Sequence, residues 1–465
     1  MKEYDVVVVG AGPGGYVAAI RAAQLGLSVG IVEKEFLGGV CLNIGCVPSK
    51  SLLKNAEVAH TLRERGKEFG FSFDNLKLDY GVALKRSRQV SDRLTKGVAF
   101  LMKKNKIDVH EGFAKLTGKN SVQVTAEDGS TTDLSAKNII VATGAHPFLI
   151  PGIEMDGKTV VTYREAILQE TLPSSVVIIG AGAIGVEFAT IWHSYGVPVT
   201  LVEMLDRIVP NEDEEVSKEL AKAFKKSGIN MMTNAKVVGV DKNKKGLNVK
   251  IETADGEETV EAGQVLMAAS FLPNTKDIGL EEAGVKVDER GFIEIDDRMA
   301  TNVDGIWAIG DVTGKLMLAH VGMAMAVVCA EHIAGVETVT LNYANMPKAT
   351  YCQPQVASFG LTEAQAIEAG HDVKIGKFNF QANGKALGLG DYVGWVKLVT
   401  DAKYGEILGA HMIGPEVTEL LPELTLAQLM ELTPAEIARN VHAHPTLSEV
   451  LVEAAEGAVG HAIHA

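Results

Sequence analysis

The sequence predicts an α/β protein: two doubly wound, Rossmann-like dinucleotide-binding units followed by an α+β C-terminal domain. Three observations carry the prediction. A β-branched run, YDVVVVG, leads into the glycine turn AGPGGY near the N-terminus. The same grammar returns 170 residues later as SVVIIG and AGAIGV. Residues 343–465 alternate strand and helix patterns but hold no glycine fingerprint. Continuous β-branched runs mark strands buried on both faces of a parallel sheet. Two copies this far apart form a repeat at domain scale and not a solenoid.

In the first unit YDVVVVG reads as a strand, AGPGGY as a turn, VAAIRAAQLG as a helix ending at Gly26, and SVGIVE as the next strand. A helical region rich in Lys and Arg follows over residues 50–105, then short strands through SVQVTAEDGSTTDLSAKNIIVATG. The second unit reads SVVIIG strand, AGAIGV turn, EFATIWHSYG helix, PVTLVE strand, and ends in the meander KVVGVDKNKKGLNVKIETADGEETVEAGQVLMAA. Leu318 to Gly335 is apolar but is broken by His320, Glu331 and His332, so it reads as a buried helix and not a membrane span. These shifts divide the chain into a first nucleotide domain (1–147), a second (148–273), a return segment completing the first (274–342) and a C-terminal domain (343–465).

The net charge of −15 lacks the basic footprint of a nucleic-acid binder. The start, MKEYDVVVVGAG, has neither the basic region nor the apolar stretch of a secretory signal. Four cysteines in 465 residues do not make a disulfide scaffold, so a reducing, cytoplasmic compartment is expected.

Each fingerprint has three glycines and an acidic partner: Gly10, Gly12 and Gly15 with Glu33, then Gly180, Gly182 and Gly185 with Glu203. The first glycine permits the tight turn, the second lets backbone approach a pyrophosphate, and the third allows close helix–strand packing. The helix N-terminus then faces the phosphates, and the carboxylate accepts from ribose hydroxyls. A lone G-x-G-x-x-G is weak evidence; the strand, helix and acidic partner strengthen both copies. Two dinucleotides in one chain imply electron transfer between them. Glu203 repels a 2′-phosphate, so the second site should prefer NAD to NADP.

Two of the four cysteines, Cys41 and Cys46, lie together in GGVCLNIGCVPSK. A zinc site would want C-x2-C spacing and further ligands, yet Cys329 and Cys352 are distant and single. An iron–sulfur cluster would need a third cysteine close behind. No metal ligand set is read. Two inert core cysteines remain the competing reading. Gly38, Gly39, Gly45 and Pro48 imply a loop leading into a helix, and a helix N-terminus makes a thiolate available. A reversible disulfide beside a bound dinucleotide explains this combination better.

GGVCLNIGCVPSK resembles the redox-disulfide motif of the pyridine nucleotide–disulfide oxidoreductases. IIVATGA and GIWAIGDV are similar to that family's later FAD-domain motifs, and HAHPTLSE to its C-terminal motif. The likeness runs from residue 4 to about residue 460. It implies FAD on the first unit and NAD on the second, a homodimer, and a C-terminal dimerisation domain. The implied reaction is oxidation of protein-bound dihydrolipoamide through a Cys41–Cys46 disulfide and FAD to NAD. The implied partners are lipoyl domains and the acyltransferase core of 2-oxo acid dehydrogenase complexes, or glycine cleavage. Implied FAD contacts are Gly10, Gly12, Pro13, Gly14, Gly15, Glu33, Lys34, Gly39, Val40, Lys50, Ala114, Thr143, Gly144, Asp311, Met317, Leu318, Ala319 and His320. Implied NAD contacts are Gly180, Gly182, Ala183, Ile184, Gly185, Glu187, Glu203, Val237 and Ser270. Lys50 would sit near the flavin and pair with Glu187. Cys46 would be the flavin-proximal sulfur and Cys41 the one that exchanges with substrate.

A substrate thiol must lose its proton before attack, and histidine suits that task near neutral pH. Among 12 histidines, His444 stands apart: Pro445 restricts its backbone, and Glu449, five residues on, is placed to orient the imidazole. His442 is the local competitor. The family motif places the base directly before proline, which selects His444, and implies that it serves the partner subunit's cysteines.

The chain departs from the resemblance at Ser270, where the family has glycine, and at Phe271 beside it. Met323 to Ala326 form an apolar stretch that reads as helix packing. A glutathione-type reductase would need basic residues in place of Glu203, and a mercuric reductase a C-terminal cysteine pair. A scaffold or redox sensor would not need Cys41, Cys46 and His444 together.

Overall fold

The computed structural model describes residues 2–244 and 246–464. The first sheet comprises β1 (Lys2–Val9), β2 (Val29–Glu33), β3 (Asp108–Glu111), β4 (Phe113–Gly118), β5 (Ser121–Thr125) and β6 (Thr131–Val141). β3, β2, β1 and β6 run parallel in that order; the first half of β6 also pairs antiparallel with β5, and β5 with β4. The strand Ile306–Ala308 arrives from far along the chain and pairs parallel with the end of β6. The return segment therefore joins the first sheet. Val6 to Val9 of β1 are all 3% exposed or less, which is why that strand reads as an unbroken apolar run.

The expected helical region over residues 50–105 is two helices, and it begins earlier than the spacing suggested. After α1 (Pro13–Gln24) come α2 (Gly39–Ile44), α3 (Cys46–Glu64) and α4 (Tyr80–Lys104). Asp79 starts α4 by accepting from the Val82 N–H at 3.2 Å. The stretch from Leu318 forms the helix Ala319–Ile333, packed on α1. The two helices cross at Gly14 and Gly322, where a Cβ on Gly14 would stand 3.2 Å from the Gly322 carbonyl oxygen. Met325 and Ala326 are fully buried there, which is the packing read from the sequence. Among the described residues no helix is long and apolar enough to cross a membrane.

The second sheet has five parallel strands in the order Asn230–Met232, Val199–Val202, Val176–Ile179, Gln264–Met267, Val160–Thr162. The meander is a three-stranded antiparallel layer, Lys236–Lys242, Leu247–Thr253 and Gly256–Ala262. The C-terminal sheet is antiparallel, in the order Lys348–Thr350, Gln355–Gly360, Ile407–Gly414, Trp395–Asp401, Val373–Asn379. The helices Val417–Leu429 and Glu449–Val459 close its core.

A buried ionic cluster joins the second unit to this sheet. Lys397, 2% exposed, lies 2.7 Å from Glu363 Oε2 and 3.3 Å from Asp213 Oδ2. Asp213 also caps the helix Glu214–Ser227, accepting from the Glu215 N–H at 3.0 Å. A buried ammonium persists only when carboxylates neutralise it, so the cluster fastens the two parts together. Beside it, the Ser358 hydroxyl donates to Glu212 Oε2 at 2.6 Å.

Candidate active site

The two cysteines stand on helices and not in the expected loop. Cys41 lies within α2 and Cys46 opens α3. Gly39 lets α2 lie against the first glycine turn: a Cβ there would meet Gly12 Cα at 2.5 Å. The short helix is held by its own asparagine and by α4. Asn43 Nδ2 donates to the Leu37 and Gly39 carbonyls at 3.0 and 2.9 Å. From α4, Arg88 donates to the Asn43 carbonyl at 2.5 Å and Thr95 to its side-chain oxygen at 3.2 Å. The contacts from α4 are long-range, so the local glycine signals pointed to a loop.

Both cysteines are free thiols, and Cys46 is open to the cavity. A hydrogen bond from Cys41 pulls the Cys46 thiol down to about 7; burial opposes this and the Lys50 charge assists it. The same hydrogen bond, with burial, holds Cys41 far above the usual thiol range. The pair therefore favours one state, a thiolate at Cys46 beside a protonated Cys41. No side chain caps the N-terminus of α3, so its positive end faces Cys46.

Lys50 lies one turn beyond Cys46, on the same face of α3. Its Nζ is 2.9 Å from both carboxylate oxygens of Glu187, on the helix Ala183–Ser194. Burial disfavours the Lys50 ammonium, but the charge and hydrogen bond of Glu187 outweigh it and raise its pKa. Glu187 Oε1 also accepts from the Tyr351 N–H at 3.0 Å, and the Tyr351 ring centre lies 4.5 Å from Lys50 Nζ. Sequence reasoning missed Tyr351.

A cavity of about 1130 Å³ joins these groups. It runs from Gly10, Gly12, Pro13, Gly14 and Glu33 past Gly39, Val40, Cys41, Cys46 and Lys50 to Ala183, Ile184 and Glu187. Lys34, Ala114, Thr143, Gly144, Asp311 and Met317 to His320 complete its wall. Of the contacts expected for the first cofactor, Gly15 alone lies off this wall. Its work is packing: a Cβ there would stand 1.8 Å from the Gly10 carbonyl oxygen. Gly185 does the same against Gly180, at 2.0 Å. Gly180, Gly182 and Glu203 lie outside the cavity, and Ser270 is exposed beside the Gly180 turn, its carbonyl accepting from Phe148 at 2.9 Å. Val237, 5% exposed, packs in the core of the second unit.

The acidic partners have a job the sequence reading lacked. Glu33 accepts from the Ala11 N–H at 2.7 Å and the Glu35 N–H at 2.8 Å. Glu203 accepts from the Ala181 N–H at 2.8 Å and the Leu205 N–H at 2.9 Å. Each carboxylate ties its glycine turn in place, and the lone pairs left over are free for ribose hydroxyls.

The cavity fits FAD on three grounds. No side chain caps α1 or the helix Ala319–Ile333, and both begin at the cavity wall. Nothing lies within 4 Å of where a Gly12 Cβ would be, so backbone is open to a phosphate. The Asp311 carboxyl, pushed up to about 6 by burial, has no side-chain hydrogen bond among the described residues. A half-buried carboxyl on the cavity wall with no such partner suits a ligand hydroxyl.

His444 is exposed, 79% by side chain, and its Nδ1 lies 2.8 Å from Glu449 Oε1. Glu449 Oε2 accepts from the Thr446 N–H at 2.7 Å. Burial would raise the Glu449 carboxyl, but that N–H and His444 overcome it and lower it. With Nδ1 engaged, Nε2 is the nitrogen left for proton work. His442 has both nitrogens occupied, by Glu423 at 2.9 Å and the Asn440 carbonyl at 2.8 Å, and is structural. Neither His444 nor Glu449 lines the cavity that holds the cysteines.

A thiol pair set in a cavity shared by two dinucleotide folds defines a flavoprotein disulfide oxidoreductase. Residues 4–326 match the family model of the pyridine nucleotide-disulphide oxidoreductases, and residues 346–455 match that family's dimerisation domain. The chain belongs to this family and uses FAD and NAD(H). The dihydrolipoyl dehydrogenases of Mycobacterium leprae and Corynebacterium glutamicum are 53% and 50% identical to it; each match covers 100% of this chain and 99–100% of the relative. That of Bacillus subtilis is 45% identical, with 99% of each chain covered. Among solved structures, LpdA from Mycobacterium tuberculosis is similar with a TM-score of 0.91 at 26% identity, covering 98% of this chain and 99% of that one. The HOCl-induced flavoprotein disulfide reductase RclA from Escherichia coli has a TM-score of 0.87 at 25% identity, covering 98% and 99%.

Proposed function

We propose that the chain oxidises protein-bound dihydrolipoamide to lipoamide and passes the electrons through Cys41 and Cys46 and FAD to NAD+. One observation carries this: the thiol pair and the Lys50–Glu187 pair share the cavity that links the two glycine units. A substrate thiolate attacks Cys41, the Cys41–Cys46 bond breaks, and Cys46 leaves as the thiolate its surroundings favour. The second substrate thiol closes the lipoamide ring and releases Cys41. His444, oriented by Glu449, takes the proton of the attacking thiol, and the proton of the closing thiol goes to Cys41 as it leaves. FAD, held by the contacts named above, supplies the two-electron chemistry between the dithiol and NAD+. Glu203 favours NAD over NADP.

In this reading residues 1–147 with 274–342 hold FAD, 148–273 hold NAD, and 343–465 form the interface of a homodimer. The exposure of His444 and its absence from the cavity wall support a base that serves the partner subunit. Mixing Cys41→Ser with His444→Gln should restore activity towards about a quarter of wild type at random exchange, if sites act independently. No recovery in verified mixed dimers would place the base in its own chain. The proposed setting is the cytoplasm, with lipoyl domains and the acyltransferase core of a 2-oxo acid dehydrogenase complex as partners. Steady-state assays with lipoamide, glutathione and mercuric ion, against NADH and NADPH, test the reaction. Faster turnover with glutathione and NADPH would overturn it.

A further inference from the structure

We propose that Tyr351 is a positioning residue of the redox centre: its ring seats the Lys50 ammonium and its backbone N–H fixes Glu187. The inference rests on the reading of Lys50 and Glu187 given above and adds what holds them. Lys50 ends a flexible stem on α3, in the first unit. Glu187 belongs to the fingerprint helix of the second. Neither part can set the gap between them alone. Tyr351 comes from a third part, directly after the C-terminal strand Lys348–Thr350. Its N–H reaches Glu187 at 3.0 Å, and two residues on the Gln353 N–H meets Thr190 Oγ1 at 3.4 Å. The segment is thus stitched along one face of the helix Ala183–Ser194.

The Tyr351 ring lines the cavity, 4.5 Å from Lys50 Nζ. An ammonium over an aromatic face gains most where water is excluded. The charged groups that bear on Lys50 are Glu187 and Cys46, with the Tyr351 phenol beside them. Those that bear on Tyr351 are Lys50, Glu187 and Glu419, and burial pushes its phenol up, so the ring stays neutral. Those that bear on Cys46 are Cys41, Lys50 and Glu187. Tyr351 therefore acts on the thiolate through Lys50. Without the ring the ammonium loses its seat, and Cys46 loses part of its positive neighbour.

The test uses flavin-loaded Tyr351→Leu, Tyr351→Met and Tyr351→Phe enzymes, with Lys50→Ala as reference. Two readouts are needed: the rate of reduction by saturating dihydrolipoamide, and the pH midpoint of the Cys46 thiolate. The midpoint is followed by the long-wavelength absorbance of the two-electron-reduced protein. Tyr351→Leu and Tyr351→Met should slow reduction about 2- to 30-fold, the span of a cation–π contact from exposed to desolvated. They should raise the midpoint by about half a unit, a fraction of what a close opposite charge commands. Tyr351→Phe keeps ring and N–H and should match wild type in both. If Lys50→Ala leaves the midpoint unmoved, the reading of Lys50 is wrong. If Lys50→Ala moves it while Leu and Met do not, the role of Tyr351 is overturned. A shift in Tyr351→Phe as large as in Tyr351→Met also overturns it, because the hydroxyl and not the ring would then matter.

Discussion

The two glycine units are built alike and used differently. In each, the first glycine takes a left-handed φ, +100° at Gly10 and +101° at Gly180, and packs on a carbonyl of the neighbouring strand's end. In each, a carboxylate ties the turn, through Ala11 or Ala181, at 2.7 and 2.8 Å. The difference lies in what covers them. The helix Ala319–Ile333 crosses α1 at Gly14, and Asp311 extends the wall, so the first turn looks into a covered cavity. The second turn lies outside that cavity and sends one face of its helix into it, at Ala183, Ile184, Glu187, Phe188 and Ile191. Met204 and Leu205, directly after Glu203, are exposed. The same local fold thus suits a retained cofactor where a later segment covers it and an exchanging one where, among the described residues, none does.

Valine at the third glycine should expose this contrast most sharply. Its Cβ would meet carbonyl oxygen in both units, at 1.8 Å in Gly15→Val and 2.0 Å in Gly185→Val. Gly15→Val should yield no yellow protein. Gly185→Val, if it folds, should keep its flavin and lose NADH binding, read as flavin absorbance per chain against KM for NADH. Loss of flavin from both variants would erase the distinction.

Next in size is His444→Gln, which should slow dihydrolipoamide oxidation by about 10²–10⁴-fold, the usual loss for a general base. Electron transfer from NADH to a dye bypasses the substrate thiol and should suffer far less. Equal losses in both assays would mean that His444 supports the nucleotide side and not the thiol side.

Selectivity at the open site is smaller. Repulsion between Glu203 and a 2′-phosphate should favour NADH over NADPH by on the order of 10²-fold in kcat/KM. Glu203→Gln should narrow the gap while keeping the turn. Comparable wild-type use of both nucleotides would remove Glu203 from the specificity argument.

Smallest is Asp311→Asn, expected to weaken flavin retention by about tenfold, the scale of one charged hydrogen bond. The sign of a pH effect follows as well. Burial raises the Asp311 carboxyl to about 6, so its contribution to the flavin-free fold is full below the unfolded value near 4 and is lost as pH rises through 6. Thermal unfolding of flavin-stripped protein should weaken over that window in wild type and not in Asp311→Asn.

What the sequence could show was local or repeated. The glycines, their acidic partners and the strands around them act within about 25 residues, and pattern sufficed. His444 and Glu449 are five apart and equally legible; the proline after His444 set it apart from His442, and the two hydrogen bonds that occupy His442 agree. The rest depends on residues far apart in the chain. Lys50 and Glu187 are 137 residues apart, and without the family likeness Lys50 reads as a solvated helix lysine. Asn43 makes α2 a helix only with Arg88 and Thr95 against it. Tyr351 carries no local mark. Lys397 did carry one: a lysine inside WVKLV, where every neighbour is apolar, is a charge that must find a buried partner.

That lysine sets terms for anyone who would treat these domains as interchangeable parts. The second unit looks like a cassette, with its own sheet and its own fingerprint. Replace it with another chain's version and the graft must also bring carboxylates at the places of Asp213 and Glu215. Otherwise the C-terminal sheet keeps a buried ammonium with Glu363 and no answer from across the join. The boundary that matters for recombination is thus drawn by one salt cluster and not by the loop where the chain passes between domains.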